Sequence, residues 1–481
     1  MKARPTVRRV GDVAPYHLFR EKDAFFVYHL DSGRFIRVSP AAYDLLERRE
    51  TMPAADAAAA FRARHPGETG VLDDVAALEA DGFFEPAEAP VKDDEEFEAE
   101  LNERFSGPCN TLVLSVASGC NLACRYCYCG VCRDELPNKG LMGEATALLA
   151  VERLFAAADP KVGVRVTFFG GEPLLNKPVI RKVVARCNEL AAARGQNAGY
   201  SITTNATLMD DETADLIVTN NFGLMVSLDG PQALHDGQCP TRDGRGSFEQ
   251  ASDGIRLLLA RGAQVTARCT MAHPAPNAMD LIRFFVGFGV SRVVLGTVYN
   301  PTFPSACDFT VDDDRTFRRC VDEEVLPWMI AEKKAGRTPI YDPFEEIGTF
   351  QGEKTHPEKV LGLRCGACHG AMAVGPDGTL YPCHRFVGME KWALGRLADG
   401  PDRDRCEAFW RGYRAAMKGT CGGCWAYRVC GGPCPWEIAR ADGTFRMTTR
   451  LCEDTCAWVK QGVYYFDSVG LADRTKGAND K

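Results

Sequence analysis

Cys120, Cys124 and Cys127 are packed into eight residues, a spacing that ordinary core packing does not ask for. They follow Leu112-Val-Leu-Ser-Val116, a short apolar run of the kind that forms a buried strand. The three thiols therefore sit on a loop leaving the carboxyl end of that strand. Three thiolates can hold three irons of a 4Fe–4S cube, whereas ligation by protein alone uses four. The remaining iron is then open to a small molecule. A zinc loop or buried free thiols are the alternatives.

A second set of cysteines begins at Cys365. It runs Cys365-x2-Cys368, Gly378-x4-Cys383, Cys421-x2-Cys424-x5-Cys430-x3-Cys434 and Cys452, with Cys456 close by. Eight thiolates make two four-cysteine sites. Zinc accepts four thiolates as iron does, so spacing leaves the metal open. Cysteines 109, 129, 132, 187, 239, 269, 307, 320 and 406 read as small apolar filler. Between the two sets lie short polar motifs: Gly170-Gly171-Glu172-Pro173, Thr203-Thr204-Asn205, Ser227-Leu228-Asp229-Gly230 and Arg268. Paired glycines let backbone approach a ligand closely. Glu172 can accept from an ammonium, and Arg268 can grip a carboxylate through a two-pronged fork. His235, Asp236 and Arg242 occupy a polar loop that either touches substrate or stays solvated.

These residues need a frame. From residue 109 to about 296 strand and helix patterns alternate, with strands at 112–116, 164–169, 200–204, 223–228, 264–269 and 291–296. Helical patterns fall between them, such as Glu144–Ala157, Lys177–Ala193, Ser247–Ala260 and Asn277–Phe288. Repeated βα units imply parallel strands with right-handed crossovers. Each polar motif lies behind a strand, where such folds gather their chemistry. Residues 311–360 read as a helical connector, interrupted at Pro327, with Trp328 in a core.

Ahead of the frame, residues 1–90 make a smaller unit. Ala24–Leu30 and Arg34–Val38 read as strands joined at Asp31-Ser-Gly33. Ser39-Pro40 caps a helix carrying Tyr43, Leu45 and Leu46, and two further helices follow near 55–65 and 71–80. Residues 91–106 are acidic and read as a solvated linker or a helix start. Residues 466–481 read as a flexible tail.

The chain has 481 residues, enough for about two to four domains. It is 45% hydrophobic and 25% charged, with net charge −8 and no basic block. That composition is globular and argues against a nucleic-acid surface. The basic N-terminus has no apolar segment behind it, and no apolar run is long enough to span a membrane, so a cytoplasmic protein is expected. Disulfides are rare there, so 21 cysteines point to metal or redox chemistry.

Cys-x3-Cys-x2-Cys with an aromatic before the third cysteine resembles the radical S-adenosylmethionine (radical SAM) enzymes. The resemblance implies a partial (β/α)6 barrel over residues 107–310, an α/β fold of TIM type. It makes Cys120, Cys124 and Cys127 the cluster ligands, with Tyr126 and Tyr128 flanking the cluster and the adenine. It also implies that SAM chelates the open iron and is cleaved to a 5′-deoxyadenosyl radical. Gly170, Gly171, Glu172 and Pro173 match the motif that binds the SAM amino group. Thr204, Asn205, Ser227, Asp229 and Arg268 are implied contacts of its ribose or carboxylate.

The C-terminal string resembles the SPASM extension of these enzymes, over residues 361–465. By that resemblance Cys365, Cys368, Cys383 and Cys434 hold one auxiliary 4Fe–4S cluster, and Cys421, Cys424, Cys430 and Cys452 hold another. Cys456 can replace Cys452, and Cys365 can leave its iron to a substrate thiolate. Three clusters and SAM are thus the implied cofactors. Sulfatase-maturing relatives carry an aspartate directly after the cysteine that Cys383 matches; here the residue is His384. A neutral histidine can also take a proton near pH 7, and a packed histidine beside the cluster is the alternative. Tyr381-Pro-Cys-His-Arg-Phe-Val-Gly388 resembles instead the maturases that install thioether crosslinks, including SCIFF-type enzymes and the maturase of the quinohaemoprotein amine dehydrogenase small subunit. The N-terminal unit resembles the RiPP recognition element, which holds a leader peptide as an added strand; a small winged-helix-like packing domain is the alternative. The expected function is therefore thioether formation in a peptide or small protein bound through its leader, with electrons from a flavodoxin or ferredoxin. The rival outcomes are formylglycine formation, a C–C crosslink or decarboxylation, and a zinc-rich binding protein.

Overall fold

The computed structural model describes residues 15–30, 33–84, 93–128, 140–299, 304–345, 365–422 and 424–470. Its first unit is an antiparallel sheet of β1 (Tyr16–Glu21), β2 (Ala24–His29) and β3 (Phe35–Val38). Leu18 faces Val27, and Val27 faces Ile36. β1 is a strand that the sequence reading missed. Asp31 and Ser32 of the expected turn lie outside the described residues. Helices α1 (Pro40–Arg49), α2 (Ala54–Arg64) and α3 (Gly70–Ala80) complete the unit. The Ser39 hydroxyl caps α1 by accepting from the Ala42 N–H at 3.1 Å. Val27, Leu45, Leu46, Phe61 and Phe83 form a core between sheet and helices. The other face of the sheet is also covered. Trp425, from the C-terminal region, stacks on His17 with ring centroids 4.2 Å apart and meets Tyr28 edge-on at 5.5 Å. A strand buried on both faces loses the period-two alternation that would betray it.

The acidic run is a helix, α4 (Asp94–Ser106), opened by a capping box in which Asp93 and Glu96 each accept from the other's backbone N–H. Phe97 and Leu101 are buried, and each such side chain contributes about 1.5–3 kcal/mol. Its acidic face docks on α13 (Arg403–Cys421): Glu98 accepts from Arg411 at 2.8 Å and Asp94 from Arg414 at 2.8 Å. Arg104, near its end, donates to the Cys365 carbonyl at 2.7 Å.

Six parallel strands follow: β4 (Thr111–Ala117), β5 (Val164–Gly170), β6 (Ala198–Thr204), β7 (Gly223–Ser227), β8 (Val265–Met271) and β9 (Arg292–Thr297). They lie side by side in chain order. Helices α5 (Glu144–Ala157), α6 (Lys177–Arg194), α7 (Asp211–Thr219), α8 (Gln232–Gln238), α9 (Phe248–Ala260) and α10 (Ala278–Phe288) connect them. This unidirectional winding is that of the (β/α)6 partial barrel, so all six carboxyl ends share one rim.

The connector is α11 (Val311–Cys320), a π-turn over Val321–Val325, and α12 (Leu326–Lys334). The Leu326 N–H donates to the Val321 carbonyl, five residues back. The expected interruption at Pro327 is therefore a register change within a continuous helix, which accommodates a residue with no N–H. Residues 346–360 of the expected connector lie outside the described residues. Beyond them, β10 (Ala373–Val374), β11 (Thr379–Tyr381), β12 (Gly395–Arg396) and β13 (Gly400–Pro401) extend the same sheet. β10 pairs parallel with β4, Ala373 facing Val113. The C-terminal cysteine region is thus continuous with the barrel sheet. It ends in α14 (Tyr427–Cys430), α15 (Pro435–Ile438) and the long α16 (Thr449–Ser468).

Candidate active site

The loop after β4 carries the first three cysteines. Its backbone is held by residues 238–242, which run alongside it: Ala123 N–H donates to Pro240 O at 2.8 Å and Arg125 N–H to Gln238 O at 2.9 Å. Arg242 Nε donates to the Cys120 carbonyl at 2.6 Å. The polar loop after β7 is therefore a clamp on the cysteine loop. Asp236 caps the following helix, its Oδ1 accepting from Ser247 and Phe248 N–H at 2.8 Å. Two N–H groups aim at Cys120 Sγ, Leu122 N at 3.4 Å and Asn205 Nδ2 at 3.7 Å. Donors pointed at sulfur suit a thiolate, so the set fits an iron–sulfur ligand loop.

Gly170 and Gly171 press against this same loop. A Cβ on Gly170, whose φ is +145°, would strike the Ala117 carbonyl, and one on Gly171 the Gly119 carbonyl. Gly171 N–H donates to Ala117 O at 2.8 Å and Glu172 N–H to Gly119 O at 2.9 Å. The close approach that requires glycine here is therefore backbone to backbone. Glu172 is buried, and its carboxylate accepts from Leu174 N (2.9 Å), Thr204 Oγ1 (2.6 Å) and Asn205 N (2.8 Å). It stitches the end of β5 to the end of β6. Burial raises its pKa, and these bonds oppose the rise. Pro173 opens the short turn that follows.

At the end of β7, buried Asp229 accepts from Thr270 N at 2.9 Å and from the Tyr126 hydroxyl at 2.7 Å. The Tyr126 hydroxyl thus points at Asp229. Tyr128 packs on Trp436 of α15, centroids 5.4 Å apart. Asp229, His235 and Cys239 cluster closely enough to suggest a metal. Yet His235 Nδ1 accepts from the Asp229 N–H at 3.1 Å, and its Nε2 meets Ser247 Oγ at 3.1 Å. Both ring nitrogens are engaged, so this group is a hydrogen-bond network. Ser227 stands opposite Arg268 across β7 and β8. A Cβ on Gly296 of β9 would strike the Arg268 guanidinium, so that glycine clears the space it occupies.

The C-terminal thiols gather as two groups. Cys368 and Cys383 each have burial as the first cause of a raised pKa; Cys365 adds to both, Cys383 to the former and Cys434 to the latter. Cys368 takes a left-handed φ of 62°, and its N–H donates to Pro382 O at 2.9 Å. Cys421, Cys424, Cys430 and Cys452 form the other group, and Cys456 belongs with it, its pKa raised beside Cys424. Two cysteines read as filler prove to be neighbours of these sets. Cys406 adds to the raised pKa of Cys368, and Cys124 to that of Cys239. Neither has a spacing signal, because each arrives from a distant helix. Cys129 and Cys132 lie outside the described residues.

His384 follows Cys383 and packs on Phe169, one residue before Gly170, with centroids 4.2 Å apart. Its place is thus the rim where the strands end. Burial, reinforced by Arg385, pulls its pKa down to about 4.

The pattern of the radical SAM superfamily matches residues 114–285. A serine-type anaerobic sulfatase-maturating enzyme of Bacteroides thetaiotaomicron is 31% identical over 363 residues, 69% of this chain and 83% of that one. A cysteine-type enzyme of Clostridium novyi is 31% identical over 295 residues, 60% and 76% of the two chains. The chain belongs to the radical SAM superfamily, whose enzymes bind a 4Fe–4S cluster and SAM. Among solved structures, anSMEcpe with bound AdoMet and Cp18Cys peptide superposes with TM-score 0.60 at 19% identity, covering 76% of this chain and 99% of that one. SuiB of Streptococcus suis gives 0.52 at 16% identity, covering 92% and 99%. These last two are likenesses of fold, and the latter extends over more of this chain.

Proposed function

We propose that this radical SAM enzyme is a peptide maturase that closes a thioether between a cysteine sulfur and a carbon of a peptide or small protein. The observation that carries the reading is His384: a neutral imidazole at the strand rim, in the position where the sulfatase-maturing pattern has an aspartate. Cys120, Cys124 and Cys127 hold three irons of the SAM-binding cluster. Cys365, Cys368, Cys383 and Cys434 hold one auxiliary cluster, and Cys421, Cys424, Cys430 and Cys452 the other. Bound SAM and the clusters supply a 5′-deoxyadenosyl radical and take up the surplus electron. Arg268, with Ser227 opposite, grips the SAM carboxylate, and the Gly170–Pro173 turn and Asn205 border its amino end. Tyr128, against Trp436, closes the wall between the SAM site and the auxiliary site. His384 is placed to take the proton from the substrate thiol as the sulfur bonds to carbon, against a burial that disfavours its charged form. The peptide thus loses two hydrogens, one as an atom and one as a proton.

The N-terminal sheet supports a leader-bound substrate. β3 is an edge strand, and an extended peptide can add to such an edge. SuiB has been solved with its precursor peptide SuiA, in a fold that spans this unit. A cytoplasmic setting with flavodoxin or ferredoxin as reductant fits the chemistry. Formylglycine formation is the second reading, favoured by the sulfatase-maturating relatives. Incubating the reconstituted enzyme with candidate peptides, dithionite and SAM separates them. Loss of two hydrogens with loss of a free thiol supports the thioether, and an aldehyde with the remaining thiols intact sinks it.

A further inference from the structure

Where the turn leaving β6 meets the cysteine loop, three side chains close a ring of hydrogen bonds that the proposed reaction does not use. Asn205 directly follows β6 and is buried. Its Nδ2 donates to Asn121 Oδ1 at 3.1 Å. Asn121 Nδ2 donates to Thr207 Oγ1 at 2.8 Å, and the Thr207 hydroxyl donates back to Asn205 Oδ1 at 2.6 Å. Each donor feeds the next, and hydrogen bonds in such a chain strengthen one another. The Thr207 backbone N–H also donates to Asn205 Oδ1, at 3.0 Å. A backbone N–H can only donate, so it fixes which end of the Asn205 amide is oxygen. The turn holds an uncommon conformation to do this. Ala206, between the two, has a left-handed φ of 57°, and a Cβ on Gly254 of α9 would strike its carbonyl. An amide nitrogen carries two hydrogens. One of those on Asn205 goes to Asn121, and the other faces Cys120 Sγ, 3.7 Å from the nitrogen. Cys120 Sγ also lies 3.9 Å from Asn121 Oδ1. A thiolate bound to iron has no hydrogen to give there, so the sulfur is an acceptor only.

We propose that Asn205 is a positioning residue: locked by Asn121 and Thr207, its amide donates to the Cys120 sulfur and raises the reduction potential of the SAM-binding cluster. Hydrogen bonds to cluster sulfurs favour the reduced, more negative cluster, so removing one lowers the potential. The ring supplies the aim. Without it the amide could turn its oxygen to the sulfur, and the sign of the effect would reverse. Both amide hydrogens and the amide oxygen of Asn205 are engaged within the protein, so its side chain acts through Cys120. The inference rests on the proposed reading of Cys120 as a ligand of that cluster.

The test is an EPR-monitored redox titration of the full-length reconstituted protein. The reduced-cluster signal that SAM alters is identified in the wild type and then followed in each variant without SAM. Asn205→Ala removes the donor. Its midpoint is expected to be more negative, with about tenfold less reduced cluster at a fixed potential, which is 59 mV for one electron. Asn205→Asp keeps the shape but faces the sulfur with an acceptor, and its midpoint is expected lower still. Thr207→Val breaks the ring and leaves Asn205 in place, with a smaller shift in the same direction. Iron content and the signals that SAM does not alter stay as in the wild type. A wild-type midpoint in Asn205→Ala overturns the proposal. Where Asn205→Ala fails to hold iron, Thr207→Val decides: a wild-type midpoint or lost iron there overturns it, the latter because the ring would then only support the loop. A wild-type protein with no signal altered by SAM overturns the cluster assignment itself, whereas unmoved midpoints of a signal that SAM does alter overturn the role of Asn205 alone.

Discussion

At the scale of single residues, the proposed chemistry depends on His384 and Arg268 at the strand rim. His384 is the clearest case. Its replacement by Ala removes the base and keeps the radical source. Product formation is expected to fall by at least about a hundredfold, the range of one positioned proton acceptor. 5′-Deoxyadenosine release, read by chromatography, should persist; its loss would move His384 from proton transfer to cluster support. Arg268 gives a second test through its neighbour. Gly296→Ala places a methyl where the guanidinium lies, so SAM binding should weaken about tenfold while iron content is unchanged. Equilibrium binding of SAM to the reconstituted protein measures this, and unaltered affinity both here and in Arg268→Ala would remove Arg268 from the SAM carboxylate. These residues could be named from motif and strand position. Their surroundings could not: Cys239 and Arg242 earn their places from contacts 113 and 122 positions away in sequence, and Gly296 from one between neighbouring strands.

At the scale of elements, loops are held by other loops. Gly171→Ala drives a Cβ into the Gly119 carbonyl, and backbone cannot yield as a side-chain tip can. A cost of about 1–3 kcal/mol is expected, typical of overpacking, together with loss of roughly the iron of one cluster by metal analysis. Full iron with normal melting would show that the turn relaxes. The connector offers a pH test. Asp313 heads α11, where the Thr310 backbone and hydroxyl donate to it at 2.8 and 2.6 Å and the His273 ring lies 2.7 Å away. Burial opposes ionisation, and these bonds outweigh it, holding its pKa below the ordinary carboxyl range. A depressed carboxyl adds stability above its unfolded pKa of about 3.9 and loses it as pH falls through the folded value. Asp313→Asn should therefore melt earlier at pH 7, by about 1–2 kcal/mol. The gap to wild type should shrink below about pH 4 in thermal scans; a constant gap would mean the charge contributes nothing.

At the scale of the whole molecule, the units are fastened through the cysteine regions. Trp425 follows a residue of the second C-terminal cysteine group by one position and inserts against His17, Phe19 and Tyr28 of the N-terminal sheet. Lys460 of α16 lies over the Trp425 ring at 5.8 Å. Trp425→Ala is expected to free the N-terminal unit, seen as faster proteolytic release of that unit and weaker leader-peptide binding. Cleavage at the wild-type rate would show that the α4 contacts alone hold it.

The sequence by itself determined the three cysteine groups, the run of βα units and the motif behind each strand, because spacing and periodicity are local properties of a chain. It also carried the helices of the N-terminal unit. It did not carry β1, whose two covered faces erase alternation, and it left the acidic run open as a linker or a helix start, because Phe97, Leu101 and Phe105 are a thin apolar stripe. The parallel pairing of β10 with β4 and the clamp of residues 238–242 on the cysteine loop were decided by tertiary structure alone. Backbone hydrogen bonds between distant segments depend on where the chain returns in space, and no residue type announces them.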